Sequence, residues 1–279
     1  KDKEAMDQEV IMRGSDRLII LRQEKNVGYS PAIARGLDFA RSTDCDYVFV
    51  LDDDCVPEKG AIDMFLNNLK LFPDNKVVLA ANRVNVPGYK EIFHKRTSKT
   101  VDPKGTIFEV FSFKKIANLF RLILNKKEKF NGPFVPLIPT EAFVTGGSFI
   151  PIEAVREAPL PDASLLMYGE DLQYAWGIRK LGYSSYLCAR PIIFDIDMTF
   201  SGSHIYGLFD SKTPLYKVYL RIRNSVIISR NNTYQNKLSL WLNIVVWTTG
   251  LLTLGFFKRG FTKDFYERLI VIIKAVKHG

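Results

Sequence analysis

The first eighty residues alternate between short apolar runs and segments with apolar positions at helical spacing. The runs at 17–21, 47–51 and 76–81 are typical of buried strands, and the segments 32–42 and 57–69 are typical of helices. We expect Ser30 to cap the first helix and Pro31 to be its first residue. Such an alternation predicts an α/β fold with a largely parallel sheet, whose ligands gather at the carboxyl ends of the strands.

The pattern weakens over residues 87–139 and then returns. A strand is expected at 106–113 and a basic helix at 120–129. The loops of this region are expected to form a variable side of the binding site, where an acceptor substrate would bind. Residues 142–150 form a strand pattern that Gly146 and Gly147 interrupt, and a helix is expected at 152–157. A turn at 168–171 then leads into a helix that ends near Leu181.

The C-terminal quarter has a different character. Twenty residues, 238–257, carry no charge, and the stripe Phe265, Leu269, Ile272, Ile273 and Val276 follows with lysine and arginine around it. Residues 212–279 hold 12 Lys/Arg against 2 Asp/Glu, within a chain of net charge +9. An apolar run with basic flanks favours a membrane surface over nucleic acid, although a buried core helix would show the same run. We therefore expect two parts, 1–211 and 212–279.

Three cysteines, Cys45, Cys55 and Cys188, are odd in number and far apart in the chain. Neither a disulfide framework nor a cysteine zinc site is expected, which favours a reducing compartment. Together with the basic C-terminal quarter, this predicts a location on the cytoplasmic face of the cell membrane.

The triplet Asp52-Asp53-Asp54 follows the apolar run at 47–51 directly. Three neighbouring carboxylates repel one another unless they are solvated, cap a helix or bind a cation. Mg²⁺ and Mn²⁺ prefer carboxylate oxygens and complete their shells with substrate phosphates. The triplet therefore predicts a metal and phosphate site, with a helix-capping turn as the alternative.

Other candidates lie later in the chain. Glu170 and Asp171 suit a general base that removes a hydroxyl proton, although acidic residues are also common in a first helical turn. Gly146 and Gly147 indicate a close approach of backbone to a ligand, or a bulge. Asp195 follows a strand candidate at 191–194, and His204 stands in the loop after it.

The order of these motifs resembles that of inverting family 2 glycosyltransferases with the GT-A fold. The motifs are Asn26-Val-Gly28-Tyr, Ala-Arg35-Gly, Leu-Asp52-Asp53-Asp54, Gly146-Gly147-Ser, Gly-Glu170-Asp171 and Tyr-x-x-x-Arg223-Asn224. Within that family the chain is similar to bacterial galactofuranosyl and rhamnosyl transferases that build cell-surface polysaccharide. The resemblance implies a Rossmann-like mixed sheet flanked by helices.

The resemblance also implies roles. Asp52 and Asp54 would contact Mn²⁺ or Mg²⁺ and the ribose or diphosphate of a nucleotide-diphospho-sugar donor, with Asp53 in support. Asp171 would be the general base, with Glu170 beside it. The remaining sugar-donor contacts would come from Asn26, Gly28, Arg35, Gly146, Gly147, Arg223 and Asn224. The acceptor would be a glycan or a lipid-linked glycan.

Three departures from the family pattern change these expectations. An arginine usual on the helix after the base is Gly177 here, with Arg179 two residues on. Relatives usually carry a histidine metal ligand about two dozen residues after the base, where this chain has Asp195, so either Asp195 or His204 is expected to bind the metal. Two front strands that grip the nucleotide base are not recognisable before Leu18. A nucleotidyltransferase or nucleotide-sugar-binding protein, or an inactive membrane-attached scaffold, remains an alternative.

Overall fold

The computed structural model describes residues 8–13, 16–84, 92–93, 135–196, 206–211, 213–233, 237–260 and 262–279. The strands of this part are β1 (Gln8–Arg13), β2 (Asp16–Leu21), β3 (Tyr47–Phe49), β4 (Cys55–Pro57), β5 (Val77–Arg83), β6 (Leu137–Thr140), β7 (Ser148–Pro151) and β8 (Ser184–Asp195). Its helices are α1 (Tyr29–Arg41), α2 (Ala61–Leu69), α3 (Ile152–Glu157), α4 (Glu170–Lys180), α5 (Leu215–Ile228), α6 (Lys237–Arg259) and α7 (Lys263–His278). The strand and helix expected at 106–113 and 120–129 lie outside the described residues.

Six of the strands form one mixed sheet in the order β3-β7-β5-β8-β4, and β6 pairs with β8 beside this path. Among the described pairings of this sheet, β5 with β8 is parallel and the other four are antiparallel. The prediction of a largely parallel sheet is therefore wrong, because apolar periodicity identifies a strand but does not encode its direction. The mixed sheet flanked by helices agrees with the GT-A expectation.

Apolar side chains cover the sheet on two sides. One cluster joins α1, α3 and α4 to the sheet, with Ile150, Val155 and Ile178 at its centre. A second cluster packs Phe65 and Leu69 of α2 onto Leu79 and neighbouring strand residues. Since both faces are covered, polar groups of the sheet region meet solvent chiefly where strands end.

Several element bounds differ from the sequence prediction. Helix α1 begins at Tyr29 after Gly28, and Ser30 is not its cap but a buried residue whose hydroxyl donates to the carbonyl of Asp162 at 2.8 Å. Helix α2 begins at Ala61, because residues 55–57 form the short strand β4. Strand β7 is confined to Ser148–Pro151, so residues 142–147 are available to form a loop. Strand β1 is an element that the sequence pattern did not reveal.

The helices α5, α6 and α7 share a separate apolar cluster that includes Val218, Ile244 and Ile272. Leu208 and Phe209 pack into the same cluster, although they precede the expected boundary at residue 212. The helices expected over 238–257 and 265–276 correspond to α6 and α7.

Candidate active site

The acidic triplet lies in a tight loop between β3 and β4. Val50 and Gly147 fix the start of this loop, because the amide of Gly147 donates to the carbonyl of Val50 at 2.8 Å. The amide of Cys55 donates to the carbonyl of Asp52 at 3.1 Å and closes the turn. In the antiparallel register of β4 and β8, Cys55 lies opposite Asp195. Asp195 and the triplet therefore meet at the same edge of the sheet.

Gly146 allows the loop after residue 142 to approach the triplet closely. A Cβ atom on Gly146 would lie 2.2 Å from Oδ2 of Asp52, a distance at which atoms cannot coexist. Gly147 has φ +98°, a left-handed conformation that glycine adopts without strain. The two glycines were predicted to admit a ligand, and in this structure the group that approaches Gly146 is the carboxylate of Asp52.

Arg83, at the end of β5, joins two of the carboxylates. Its Nη1 donates to Oδ2 of Asp52 and to the carbonyl of Gly146, each at 3.3 Å. Its Nε donates to Oδ2 of Asp195 at 3.3 Å, and its Nη2 pairs with Oδ1 of the same carboxylate. The sequence analysis missed Arg83, and the only available signal was an arginine at the end of a predicted strand.

Tyr29 and Thr145 connect Asp52 to Asp171. The hydroxyl of Tyr29 donates to Oδ1 of Asp52 at 2.8 Å and lies 3.0 Å from Oγ1 of Thr145. The backbone amide of Thr145 donates to Oδ1 of Asp171 at 2.9 Å, and its hydroxyl donates to the same oxygen. The two acidic sites of the sequence, separated by more than a hundred residues, therefore lie in one hydrogen-bonded network.

Glu170 and Asp171 begin α4, where they face a poorly solvated environment. Burial raises the pKa of Glu170 to about 8, and the charge of Asp171 adds to this rise. Burial also raises the pKa of Asp171, against the effect of the two hydrogen bonds from Thr145. A carboxylate with a raised pKa is a better proton acceptor near neutral pH, which suits a general base.

The turn before α4 is strained and is held from α5. Leu166 and Tyr168 have φ values of 60° and 70°, which are uncommon for residues with side chains. The side-chain NH₂ group of Asn224 shares its two protons among the carbonyls of Leu165, Met167 and Tyr168, at 2.7, 2.8 and 3.0 Å from Nδ2. Since Asn224 is fully buried, its position fits an anchor of this turn rather than a direct contact with a sugar donor.

Arg223 lies beside this anchor. It donates to the carbonyl of Ser164 at 3.0 Å and to the side-chain oxygen of Asn224 at 3.1 Å. Unlike Asn224 it is only partly buried, so its predicted contact with diphosphate remains compatible with its position.

The start of α1 approaches the same turn. The amide of Gly28 donates to the side chain of Asn26 at 3.0 Å, and a Cβ atom on Gly28 would lie 2.8 Å from the carbonyl oxygen of Leu166. Gly28 has φ +90°, so this position favours glycine on both grounds. Arg35, about two turns further along α1, donates to the side chain of Gln23 at 3.0 Å.

The acidic loop supplies some of the ligand atoms that a divalent cation needs. Asp52, Asp54 and Cys55 each offer a ligand atom, and these atoms lie within 4.8 Å of one another. Burial raises the pKa of the Cys55 thiol to about 12, so at neutral pH it remains a protonated, weak ligand. Two carboxylates suffice for Mg²⁺ or Mn²⁺ when substrate phosphates complete the shell.

Asp195 and His204 were the other expected metal ligands. Both oxygens of Asp195 accept hydrogen bonds from Arg83, so a metal bound by Asp195 would share this carboxylate with the guanidinium group. His204 lies outside the described residues. Asp53 is exposed in the loop, whereas Asp52 and Asp54 are partly buried.

Comparison with known proteins bears on the N-terminal half of the chain. Residues 3–135, just under half of the 279, match the model of the family described as Glycosyl transferase family 2. Asp52, Asp54 and Arg83 lie within the match, and Glu170 and Asp171 lie beyond it. No curated protein matches the chain. The family match, together with the mixed α/β sheet and the convergent acidic residues, supports a glycosyltransferase of family 2.

Proposed function

We propose that the protein is an inverting glycosyltransferase that moves a sugar from a nucleotide-diphospho-sugar to a hydroxyl of a glycan or lipid-linked glycan. One observation carries this proposal beyond the family match. The triplet that would receive the diphosphate and the carboxylate that would receive a proton are joined through Tyr29 and Thr145. Transfer between two bound substrates needs both functions in one cleft.

Asp171 is the general base of the proposed reaction. The acceptor hydroxyl attacks the anomeric carbon from the face opposite the diphosphate, and its proton passes to a carboxylate oxygen of Asp171. The bond between the anomeric carbon and the diphosphate oxygen breaks, and its electron pair leaves with the nucleoside diphosphate. The raised pKa of Asp171, caused by burial, favours acceptance of this proton.

The sugar donor is bound at the carboxyl end of β3 and the start of α1. Asp52 and Asp54 would hold Mn²⁺ or Mg²⁺, which when bound offsets the charge that develops on the departing nucleoside diphosphate. The backbone at Gly146 and Gly147 lines the cleft beside them. Asn26, Gly28, Arg35 and Arg223 complete the proposed contacts with the nucleotide.

The C-terminal helices attach this activity to the cytoplasmic face of a membrane. Within the described residues one helix, over Lys237–Phe257, is long and apolar enough to cross a bilayer, which alone is weak support. Its residues Leu240, Ile244 and Leu251 pack within the protein, while another face exposes Leu238, Trp241, Leu242 and Val245. A helix with one face on protein and one apolar face outside fits attachment to the membrane surface better than a lipid-surrounded span.

A panel of nucleotide sugars tests the proposal. Purified protein is incubated with each sugar donor, beginning with galactofuranosyl and rhamnosyl nucleotides, with Mn²⁺ or Mg²⁺, and released nucleoside diphosphate is measured. We expect metal-dependent release from at least one sugar donor. The Asp54→Asn variant should lose about a hundredfold or more in rate, since removal of a preorganised electrostatic group commonly costs that much.

The matched control is Asp63→Asn, which removes an exposed carboxylate in the first turn of α2, outside the loop that holds the triplet. This variant should release nucleoside diphosphate at the wild-type rate. Failure of every sugar donor to bind or react, or an Asp54→Asn variant as active as wild type, would contradict the proposal.

A further inference from the structure

The hydroxyl groups of Tyr29 and Thr145 lie between Asp52, which is proposed to bind the metal and the sugar donor, and Asp171, which is proposed to be the base. Tyr29, in the first turn of α1, contacts Asp52, and Thr145, in the loop before β7, contacts Asp171. Their oxygens lie 3.0 Å apart, within hydrogen-bond distance of each other. Neither residue was among the functional candidates from the sequence.

The two hydroxyls donate outward, one to each carboxylate. Each hydroxyl has one proton to donate, whereas an ionised carboxylate can only accept. Tyr29 donates to Asp52 and Thr145 donates to Asp171, and the two hydroxyl oxygens lie in contact between them.

We propose, on the basis of the proposed function, that Tyr29 and Thr145 are positioning residues that hold the ionised carboxylate of Asp171 beside the sugar-donor site, ready for the acceptor's proton. The hydroxyl and the backbone amide of Thr145 both donate to Asp171, and hydrogen bonds to an ionised carboxylate are among the stronger ones. The pair therefore fixes the distance between the base and the sugar donor.

Within the described residues, these two hydroxyls make hydrogen-bond contacts with Asp52, with Asp171 and with each other. Thr145 is fully buried, and the Tyr29 hydroxyl lies between Asp52 and Thr145. Tyr29 is a neutral phenol with one proton, which it donates to Asp52. The charged groups that act on Asp171 besides this pair are Glu170, Asp52 and Arg83, and the variants below leave all three in place.

Steady-state kinetics of Tyr29→Phe, Thr145→Val and the double variant test this inference. We expect kcat to fall roughly tenfold or more in each single variant, because misplacement of a reacting group is costly, while KM for the sugar donor changes less. The double variant should be about as slow as the slower single variant, because both substitutions break the same chain. Thr145→Ser keeps a hydroxyl and should restore most of the rate.

The pH profile adds a readout that a purely structural role would not move. The charge-assisted bond from the Thr145 hydroxyl stabilises ionised Asp171, so its loss raises the pKa of Asp171. The acid limb of the kcat profile should therefore shift to higher pH in Thr145→Val and return in Thr145→Ser.

Tyr174→Phe is the matched control, because the Tyr174 hydroxyl is buried and has no hydrogen-bond partner among the described residues. It should react at the wild-type rate. If wild type releases no nucleoside diphosphate from any sugar donor, the proposed function fails and this inference fails with it. If wild type is active but the single variants keep its kcat, or their losses multiply in the double variant, the inference alone is wrong.

Discussion

Asp52 is held by three different groups at once. The Tyr29 hydroxyl donates to one carboxylate oxygen, Arg83 contacts the other, and the backbone of Gly146 lies against the carboxylate. These contacts leave the side chain little freedom to reorient. A carboxylate that is fixed before its ligand arrives loses less conformational entropy on binding, which is what a phosphate or metal site requires.

Gly146→Ala tests whether this fixed orientation matters. The added methyl group would occupy the space of the Asp52 carboxylate, which must turn away and lose its contacts with Tyr29 and Arg83. We expect kcat/KM for the sugar donor to fall about a hundredfold, as is usual when a binding group is misplaced by about an ångström. Circular dichroism should show that the fold is retained, because the clash involves a side chain.

Gly36→Ala is the matched control for this variant. Gly36 lies within α1, and a Cβ atom there would meet nothing within 4 Å. It should leave kcat/KM unchanged and increase the free energy of unfolding by about 0.5–1 kcal/mol, since glycine weakens a helix interior by that amount. Equal activity of Gly146→Ala and wild type would show that the orientation of Asp52 is unimportant.

At the scale of elements, α6 has two apolar faces with different surroundings. Leu240, Ile244 and Leu251 are buried against neighbouring helices, whereas Trp241 and Val245 are 53% and 56% exposed. Helix α7 exposes Ile270 and Ile273, whereas Phe265 and Ile272 of the stripe predicted to lie in a membrane interface are buried in the C-terminal apolar cluster. Apolar surface beside a basic segment matches the chemistry of an anionic lipid surface.

Trp241→Ser combined with Val245→Ser tests the membrane proposal. Both side chains lie on the exposed face, so the double variant should fold normally but lose apolar contact with lipid. We expect wild type to co-sediment with vesicles that contain anionic lipid, less with zwitterionic vesicles, and less at high salt. The double variant should remain largely in the supernatant.

Leu71→Ser serves as the control, because Leu71 is 65% exposed but follows α2 rather than belonging to the C-terminal helices. It should bind vesicles as wild type does. If the α6 double variant sediments as well as wild type, this face of α6 does not carry the attachment.

The sequence predicted helices more accurately than strands. Helices α1, α3, α4, α6 and α7 were located from apolar spacing, which is a local property of the chain. The short strands β1 and β4 were missed, and the direction of β7 was not foreseen. Pairing between strands depends on residues far apart in the sequence, so no local pattern contains it.

At the scale of the whole molecule, the C-terminal helices support the catalytic part. Asn224 of α5 holds the strained turn that leads to Glu170 and Asp171. The same helix packs with α7 in the C-terminal apolar cluster. The proposed membrane-attached region therefore also positions the proposed base, and the two parts are not independent modules.

The candidate acids were found from the sequence because each stands at the end of an apolar run or the start of a helix. Asp52, Asp171 and Asp195 do lie close to one edge of the fold. Arg83, Tyr29 and Thr145 connect them, and although each stands beside a predicted element or motif, the sequence does not show which carboxylates they contact. Contacts of this kind depend on tertiary packing, which one sequence does not specify.

The most direct test of the account compares sugar-donor binding with sugar transfer in Asp171→Asn. The variant removes the proposed proton acceptor and keeps the size of the side chain, and Asp52 and Asp54 remain in place. Binding of the nucleotide sugar, measured by calorimetry with Mn²⁺, should be close to that of wild type. Transfer to the acceptor should fall by roughly a hundredfold or more, since a positioned base contributes about that much to the rate. Transfer at the wild-type rate would contradict the assignment of Asp171 as the base, and an absence of nucleotide-sugar binding by wild type would contradict the account as a whole.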